Sequence, residues 1–308
     1  MAVYKVYSHC VKFKYKTTIC SKATVFSFII TILTTIFPLL IAYRSHGFWI
    51  KSATYQEQPN VHFKHEYLLI VETDRIDSPV LCSTFRAFNK ITNGINRCPK
   101  VKSREEDINQ DGKFDELNIE IQVQLQQTDI ALSVKLFLLF DYKLYKMSVF
   151  HMESLGVVQH SSSLPGARLD VVADLRLIQK QLLYSRGRDS RFNTSVFDLT
   201  RMVPDAFNLQ TLFKEYARRN VTTRLSNVYP LWTAGRAPDM PFIVSALVHY
   251  PEETIMYRPG FWQVIKWAWV QYLSVFIIFV FIFRLVKEYV FSNQLVFTVK
   301  TVPWKKLF

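Results

Sequence analysis

The 308-residue sequence predicts a two-span α-helical membrane protein that carries a large β-rich, sandwich-like α+β domain outside the cytosol. Three observations predict it. Two charge-free apolar runs lie near the ends of the chain, and positive charge is concentrated beside them. The long stretch between them alternates apolar and polar residues with a period of two.

The first run, Ala23 to Tyr43, has 21 residues without a charge, bracketed by Lys22 and Arg44. A helix of that length covers about 31 Å, which matches a bilayer hydrocarbon core. The second, Trp267 to Phe283, has 17 residues between Lys266 and Arg284. It covers only about 25 Å, so Lys266 is expected to snorkel and residues 261–265 to sit at the interface. Trp262, Trp267, Trp269 and Tyr272 then form an outer aromatic belt, with Phe48 and Trp49 as its counterpart after the first run. The first run is too long for a cleaved signal peptide and no small-x-small site follows it, so it reads as an uncleaved anchor.

The formal net charge of +13 raises the question of a nucleic-acid partner, and its distribution answers it. Residues 1–22 carry five lysines and no acid, and residues 284–308 carry five basic residues and one acid. The 223 residues from Arg44 to Lys266 carry 28 basic and 24 acidic residues. The excess therefore sits in two short tails, which is the positive-inside pattern and excludes nucleic acid as the partner. The expected organisation is a cytosolic tail over 1–22, a first helix over 23–43, an exported domain over 44–266, a second helix over 267–283 and a cytosolic tail over 284–308. Two glycosylation sequons, at Asn193 and Asn220, both fall in the exported part.

Within the first run Ser27, Thr31 and Thr35 recur every four residues, which predicts a helix-packing seam, with Gln271 of the second run as a partner group. Pro38 frees the carbonyl of Thr34 and permits a kink. Neither run carries a charge, which argues against an ion path or a proton relay.

In the exported part the cleanest alternation runs from Glu116 to Leu125. Residues 61–71, 131–145, 147–160, 169–179 and 242–250 also read as strands. A Pro204-Asp205 start signal followed by Phe207, Leu212, Phe213 and Tyr216 predicts one helix over 205–219. Cys82 and Cys98 are the only cysteines of this domain; in an oxidising compartment a bridge closing their short loop is one reading and two buried thiols the other. Cys10 and Cys20 fall in the first tail, where Cys20 abuts the membrane and is a palmitoylation candidate.

No His-Glu-x-x-His, Gly-x-Ser-x-Gly, Cys-x-x-Cys or Gly-rich phosphate loop occurs, so no catalysis, required cofactor or small-molecule substrate is expected. One motif carries possible metal chemistry. Asp107, Asn109, Asp111 and Asp115 place side-chain oxygens at positions 1, 3, 5 and 9 of a loop, with Gly112 at position 6 and the Lys113 carbonyl at position 7. Hard oxygen ligands around a tight turn are what calcium requires. Position 12 is Asn118, where an EF-hand needs a bidentate glutamate, so the alternative is a polar hairpin turn. The terminal Lys305-Lys306 pair is similar to a dilysine retrieval signal and equally fits positive-inside charge.

Several segments in order resemble the transmembrane protein 231 family: Arg44-Ser45-His46-Gly47-Phe48-Trp49, Tyr55-Gln56-Glu57-Gln58-Pro59, Ser103 through Asp115, Asp174-Leu175-Arg176-Leu177, Arg219-Asn220-Val221-Thr222-Thr223, Pro259-Gly260-Phe261-Trp262 and Trp269-Val270-Gln271-Tyr272. The resemblance implies a non-enzymatic component of the Meckel-syndrome (tectonic-like) complex at the ciliary transition zone. Such a protein serves cilium assembly and the diffusion barrier for ciliary membrane proteins, with other proteins of that complex and the lipid bilayer as partners. The competing readings are a two-span ion-channel subunit and an accessory subunit of a membrane transporter.

Overall fold

The computed structural model describes residues 13–45, 51–75, 79–85, 97–197 and 209–301. Cys10, Phe48, Trp49, the Pro204-Asp205 start signal and Lys305-Lys306 lie outside them. The chain forms two compact units, one from residues 1–51 and 260–308 and one from residues 52–259.

The first unit holds two long apolar helices, α1 (Lys22–Arg44) and α3 (Phe261–Ser292), each long and apolar enough to cross a membrane. Ser21 caps α1, its hydroxyl accepting from the Thr24 N–H at 3.3 Å, and so satisfies one donor of the first turn. The second helix is longer than its 17-residue apolar run because hydropathy marks only the uncharged portion, whereas Lys266, Arg284, Lys287 and Glu288 are themselves good helix formers. The helices meet through Phe37 stacked on Phe279, with ring centroids 6.1 Å apart, and through the Tyr272 hydroxyl, 3.4 Å from the Thr35 carbonyl.

The expected hydroxyl seam lies mostly off the face that α1 buries within this chain. α1 buries Ala23, Ile30, Pro38 and Ala42, whereas Thr31 and Thr35 are exposed and Ser27 is half-buried. Thr31 donates to the Ser27 carbonyl at 2.8 Å and Thr35 to the Ile32 carbonyl at 2.9 Å, so these hydroxyls satisfy their own helix. Gln271 is partly buried, and its Oε1 has no hydrogen-bond partner. The two tails also pair. Strand β1 (Lys14–Lys16) runs antiparallel to β15 (Val299–Thr301), and Thr301 donates its hydroxyl to the Lys14 carbonyl at 3.0 Å.

The second unit is a β-sandwich. Its strands are β2 (Ala53–Glu57), β3 (Asn60–Thr73), β4 (Val80–Ser83), β5 (Lys100–Glu106), β6 (Glu116–Val123), β7 (Ala131–Leu144), β8 (Val149–Ser161), β9 (Gly166–Gln179), β10 (Leu183–Tyr184), β11 (Arg188–Phe192), β12 (Val221–Ala234), β13 (Phe242–His249) and β14 (Glu253–Arg258). One five-stranded sheet has the order β11-β8-β7-β3-β4 and the other β12-β9-β13-β6-β5, while a three-stranded sheet has the order β10-β14-β2. Leu136, Leu138 and Phe140 of β7 share one core with Leu117, Ile119 and Ile121 of β6 and Val244 and Val248 of β13. The opposite face of β7 is also covered. Phe137 and Leu139 pack with Leu155 and with Tyr216 of helix α2 (Leu209–Arg218), which is why residues 136–140 are continuously apolar rather than alternating.

The Tyr216 hydroxyl pins α2 down by accepting from the backbone N–H groups of Leu155 at 3.1 Å and Thr223 at 2.8 Å. Cys82 and Cys98 are bonded, with Cα atoms 5.9 Å apart. The bridge ties β4, the last strand of one sheet, to the residues leading into β5, the last strand of the other.

Candidate functional site

The loop of residues 107–115 joins β5 to β6, which pair antiparallel down to Glu106 opposite Glu116. The chain reverses through Gln110 at φ 59° and Gly112 at φ 84°; the left-handed conformation at 112 favours glycine. The loop's acidic side chains turn inward on its own backbone. Asp107 Oδ2 accepts from the Gly112 N–H at 2.9 Å, Asn109 Oδ1 from the Asp111 N–H at 2.8 Å and Asp111 Oδ1 from the Lys113 N–H at 2.8 Å. Asp115 Oδ2 accepts from the N–H groups of Ile108 and Asn109 at 2.8 and 3.0 Å, and its Oδ1 accepts from Gln58 Nε2 at 2.6 Å. Burial pushes the Asp115 carboxyl up, but these donated hydrogen bonds outweigh it and hold the group below its ordinary value.

The expected metal ligands Asp107, Asn109, Asp111, Lys113 and Asp115 all lie in this one turn. Among the described residues no group of three or more His, Cys, Asp or Glu side chains is arranged to hold a metal ion. Asp107 Oδ1 is buried and has no hydrogen-bond partner. Locally the loop closes as a polar turn, its side-chain oxygens accepting from its own backbone N–H groups.

Beside the loop lies an open cleft of about 760 Å³, bounded by Glu57, Lys113, Tyr145, Lys146, Tyr250 and Glu252. Both of its ammonium groups are engaged, Lys113 with the Gln58 carbonyl at 2.7 Å and Lys146 with the Gln56 carbonyl at 2.9 Å. At the cleft's floor Glu57, 6% exposed, accepts from the N–H groups of Tyr145 at 2.9 Å and Lys146 at 3.1 Å. Directly across the strand pair stands Glu253, also 6% exposed, which accepts from the Leu177 N–H at 2.8 Å. Sequence reasoning missed this buried acid pair. Its only signal was an acid within each of two short strands, and those strands were not visible as such.

The two sequon asparagines are exposed. Asn220 follows α2 and donates from Nδ2 to Gln181 at 2.8 Å, and Arg219 reaches the Thr194 carbonyl of the other sequon at 3.3 Å. Another buried acid, Glu153, is held by Lys64 and by the Val196 N–H, each at 2.6 Å, and serves the packing of this corner.

Two apolar helices that bracket a β-sandwich in the chain define a two-span membrane protein. The match to known proteins is correspondingly broad. Residues 1–300 match the family described as Transmembrane protein 231. Proteins of that name are 45% identical over 299 residues in Xenopus tropicalis, covering 97% of this chain and 96% of the relative. They are 46% identical over 297 residues in Mus musculus (96% and 94% covered) and 44% identical over 300 residues in Homo sapiens (97% and 95% covered). The chain belongs to the transmembrane protein 231 family. A solved proton-activated chloride channel aligns over 87% of this chain and 99% of its own at 9% identity, with a TM-score of 0.27, a likeness too low to carry an argument.

Proposed function

We propose that this chain is a non-catalytic membrane component of the ciliary transition zone, serving cilium assembly and the barrier that sorts ciliary membrane proteins. The observation that carries the reading is its membership of the transmembrane protein 231 family, which extends over both helices and the whole sandwich. Its partners on this reading are other membrane and membrane-associated proteins of the Meckel-syndrome (tectonic-like) complex. Both tails lie in the cytosol, where their lysines are favoured. Pairing of β1 with β15 supports the two tails sharing one side of the membrane. The sandwich is then exported, and Asn193 and Asn220 are glycan acceptors.

The test is a tagged full-length chain in ciliated cells. It is expected to concentrate at the base of the cilium, and its deletion to admit membrane proteins that are normally excluded. Diffuse plasma-membrane staining together with normal exclusion after deletion would overturn the reading. Protease treatment of sealed microsomes is expected to trim the tails and spare the sandwich.

A further inference from the structure

We infer that the Glu57–Glu253 rung is a proton-operated clasp, which holds the small β10-β14-β2 sheet to the sandwich when Glu253 is protonated and loosens when it is charged. Glu57 and Glu253 face one another in the antiparallel β2–β14 pair, so both side chains leave the same face of the small sheet. From that rung they reach different parts of the sandwich. Glu57 takes the N–H groups of Tyr145 and Lys146 at the β7–β8 turn, and Glu253 takes the N–H of Leu177 on β9. The two carboxyls are the buried polar fasteners of this sheet, beside the exposed ties from Gln179 of β9 to the Met256 backbone and from Lys146 to the Gln56 carbonyl.

The surroundings are poor in compensating charge. Facing the rung are Tyr142 from β7, the Tyr145 and Lys146 amides and Ser148 from the β7–β8 turn, the Leu177 amide and Arg176 from β9, and Tyr55 from β2. Among the described residues Arg176 is the basic side chain that acts on Glu253, and it also leans on Asp174 at 3.5 Å. Lys146 spends its ammonium on the Gln56 carbonyl. Tyr142 is fully buried and its hydroxyl has no hydrogen-bond partner. Burial, then the nearby Glu253, Glu57 and Tyr55, push that hydroxyl well above its ordinary value. Burial likewise pushes Glu253 from 4.5 up to about 7, against the pull of the Leu177 N–H and Arg176. Glu253 therefore exchanges its proton at physiological pH, where an ordinary glutamate is fully charged.

The sign follows from linkage. A carboxyl whose folded value is raised binds its proton more tightly in the closed state, so its stabilisation is present at low pH and fades as pH rises through about 7. If the opened clasp has an ordinary glutamate, raising the pH from 5.5 to 8 multiplies local opening by roughly 25. The position gives the device consequence. β2 is the first strand of the sandwich unit, and β14 ends at Arg258, just before Gly260 caps α3, so the clasp sits on the strands through which the chain comes from one apolar helix and goes to the other.

The experiment is hydrogen–deuterium exchange on the full chain in lipid nanodiscs at pH 5.5 and pH 8, corrected for intrinsic rates. Segments 53–57 and 253–258 are expected to lose protection at pH 8 by a factor near that 25, while β6 and β13 are unchanged. Glu253→Gln, which keeps the shape and removes the charge, is expected to hold both segments closed at both pH values. Equal pH dependence in wild type and Glu253→Gln would overturn the clasp. A second measurement needs no variant to fold: carbon NMR of glutamate-labelled wild type should show one carboxyl titrating near neutrality, and titration of every glutamate in the ordinary range would equally overturn it.

Discussion

Two acidic places in the sandwich contrast sharply. The 107–115 loop gathers its acids within nine residues, exposed at a hairpin end, and each is met by a backbone N–H of the same loop. The Glu57–Glu253 rung gathers two acids from opposite ends of the domain, buried on one strand pair, with a fully buried and unpartnered tyrosine hydroxyl beside them. The first arrangement holds Asp115 below its ordinary value and the second lifts Glu253 far above it. Density of acid in the sequence is therefore a poor guide to where charge has consequence. Burial without neutralisation is the better guide, and it is a property of the fold.

The largest test of this comparison removes the core beneath both places. Phe140 is fully buried in β7, between Phe63 at 5.9 Å and Tyr250 at 6.0 Å, and Tyr250 in turn reaches toward Glu105. Phe140→Ala is expected to cost about 3–5 kcal/mol, read by thermal or denaturant unfolding of the full chain in nanodiscs. If the loop and the rung were independent patches, only one would lose exchange protection; loss at both would make the shared core their common support.

Asp115 gives the next effect, with the opposite pH sign to Glu253. Its folded carboxyl lies below the ordinary value, so its stabilisation is full at neutral pH and is lost as pH falls through that depressed value. Asp115→Ala is expected to cost about 2 kcal/mol at pH 7, because it orphans the Ile108 and Asn109 amides and releases Gln58. The cost should shrink in acid, as measured by unfolding midpoints across a pH series. A cost that grows in acid would reverse the comparison.

Much of the fold was legible and the reasons are local. Alternation over 116–125 found β6, which spans 116–123, because one face meets the core and the other meets its surroundings, giving the burial pattern of a half-covered strand. The two helices were legible because each is a charge-free run of near-bilayer length bracketed by basic residues. β12 was not legible. Its outer half carries a left-handed Asn227, a register shift before Tyr229 and Pro230, all of which an edge strand tolerates and which erase the period of two. The candidate site was half legible. The 107–115 loop was found because its ligand-type residues are contiguous, but which way their oxygens point was not encoded in spacing. The rung was invisible, since β2 and β14 are short and only their pairing brings Glu57 opposite Glu253. Hydroxyl spacing did not mark the face that α1 buries within this chain, because it says nothing about whether the hydroxyl is satisfied by its own backbone.

The smallest expected effect is at Asp111, and it decides whether the loop is anything more than a turn. Asp111 Oδ1 receives one amide, that of Lys113, on an exposed loop. Replacing it by Ala removes that one hydrogen bond, which amounts to about 0.5–1 kcal/mol. A calcium site would behave differently, because a cation that binds only the folded loop raises stability by about 1.4 kcal/mol at ten times its dissociation constant. The wild-type chain is accordingly expected to melt at the same temperature in millimolar calcium and in chelator, and Asp111→Ala to lower both melts equally. A melt raised by calcium in wild type and not in Asp111→Ala would make the loop an ion site, with the unpartnered Asp107 Oδ1 available as a ligand. The exposed loop would then be the charge-sensitive place that the buried rung is argued to be.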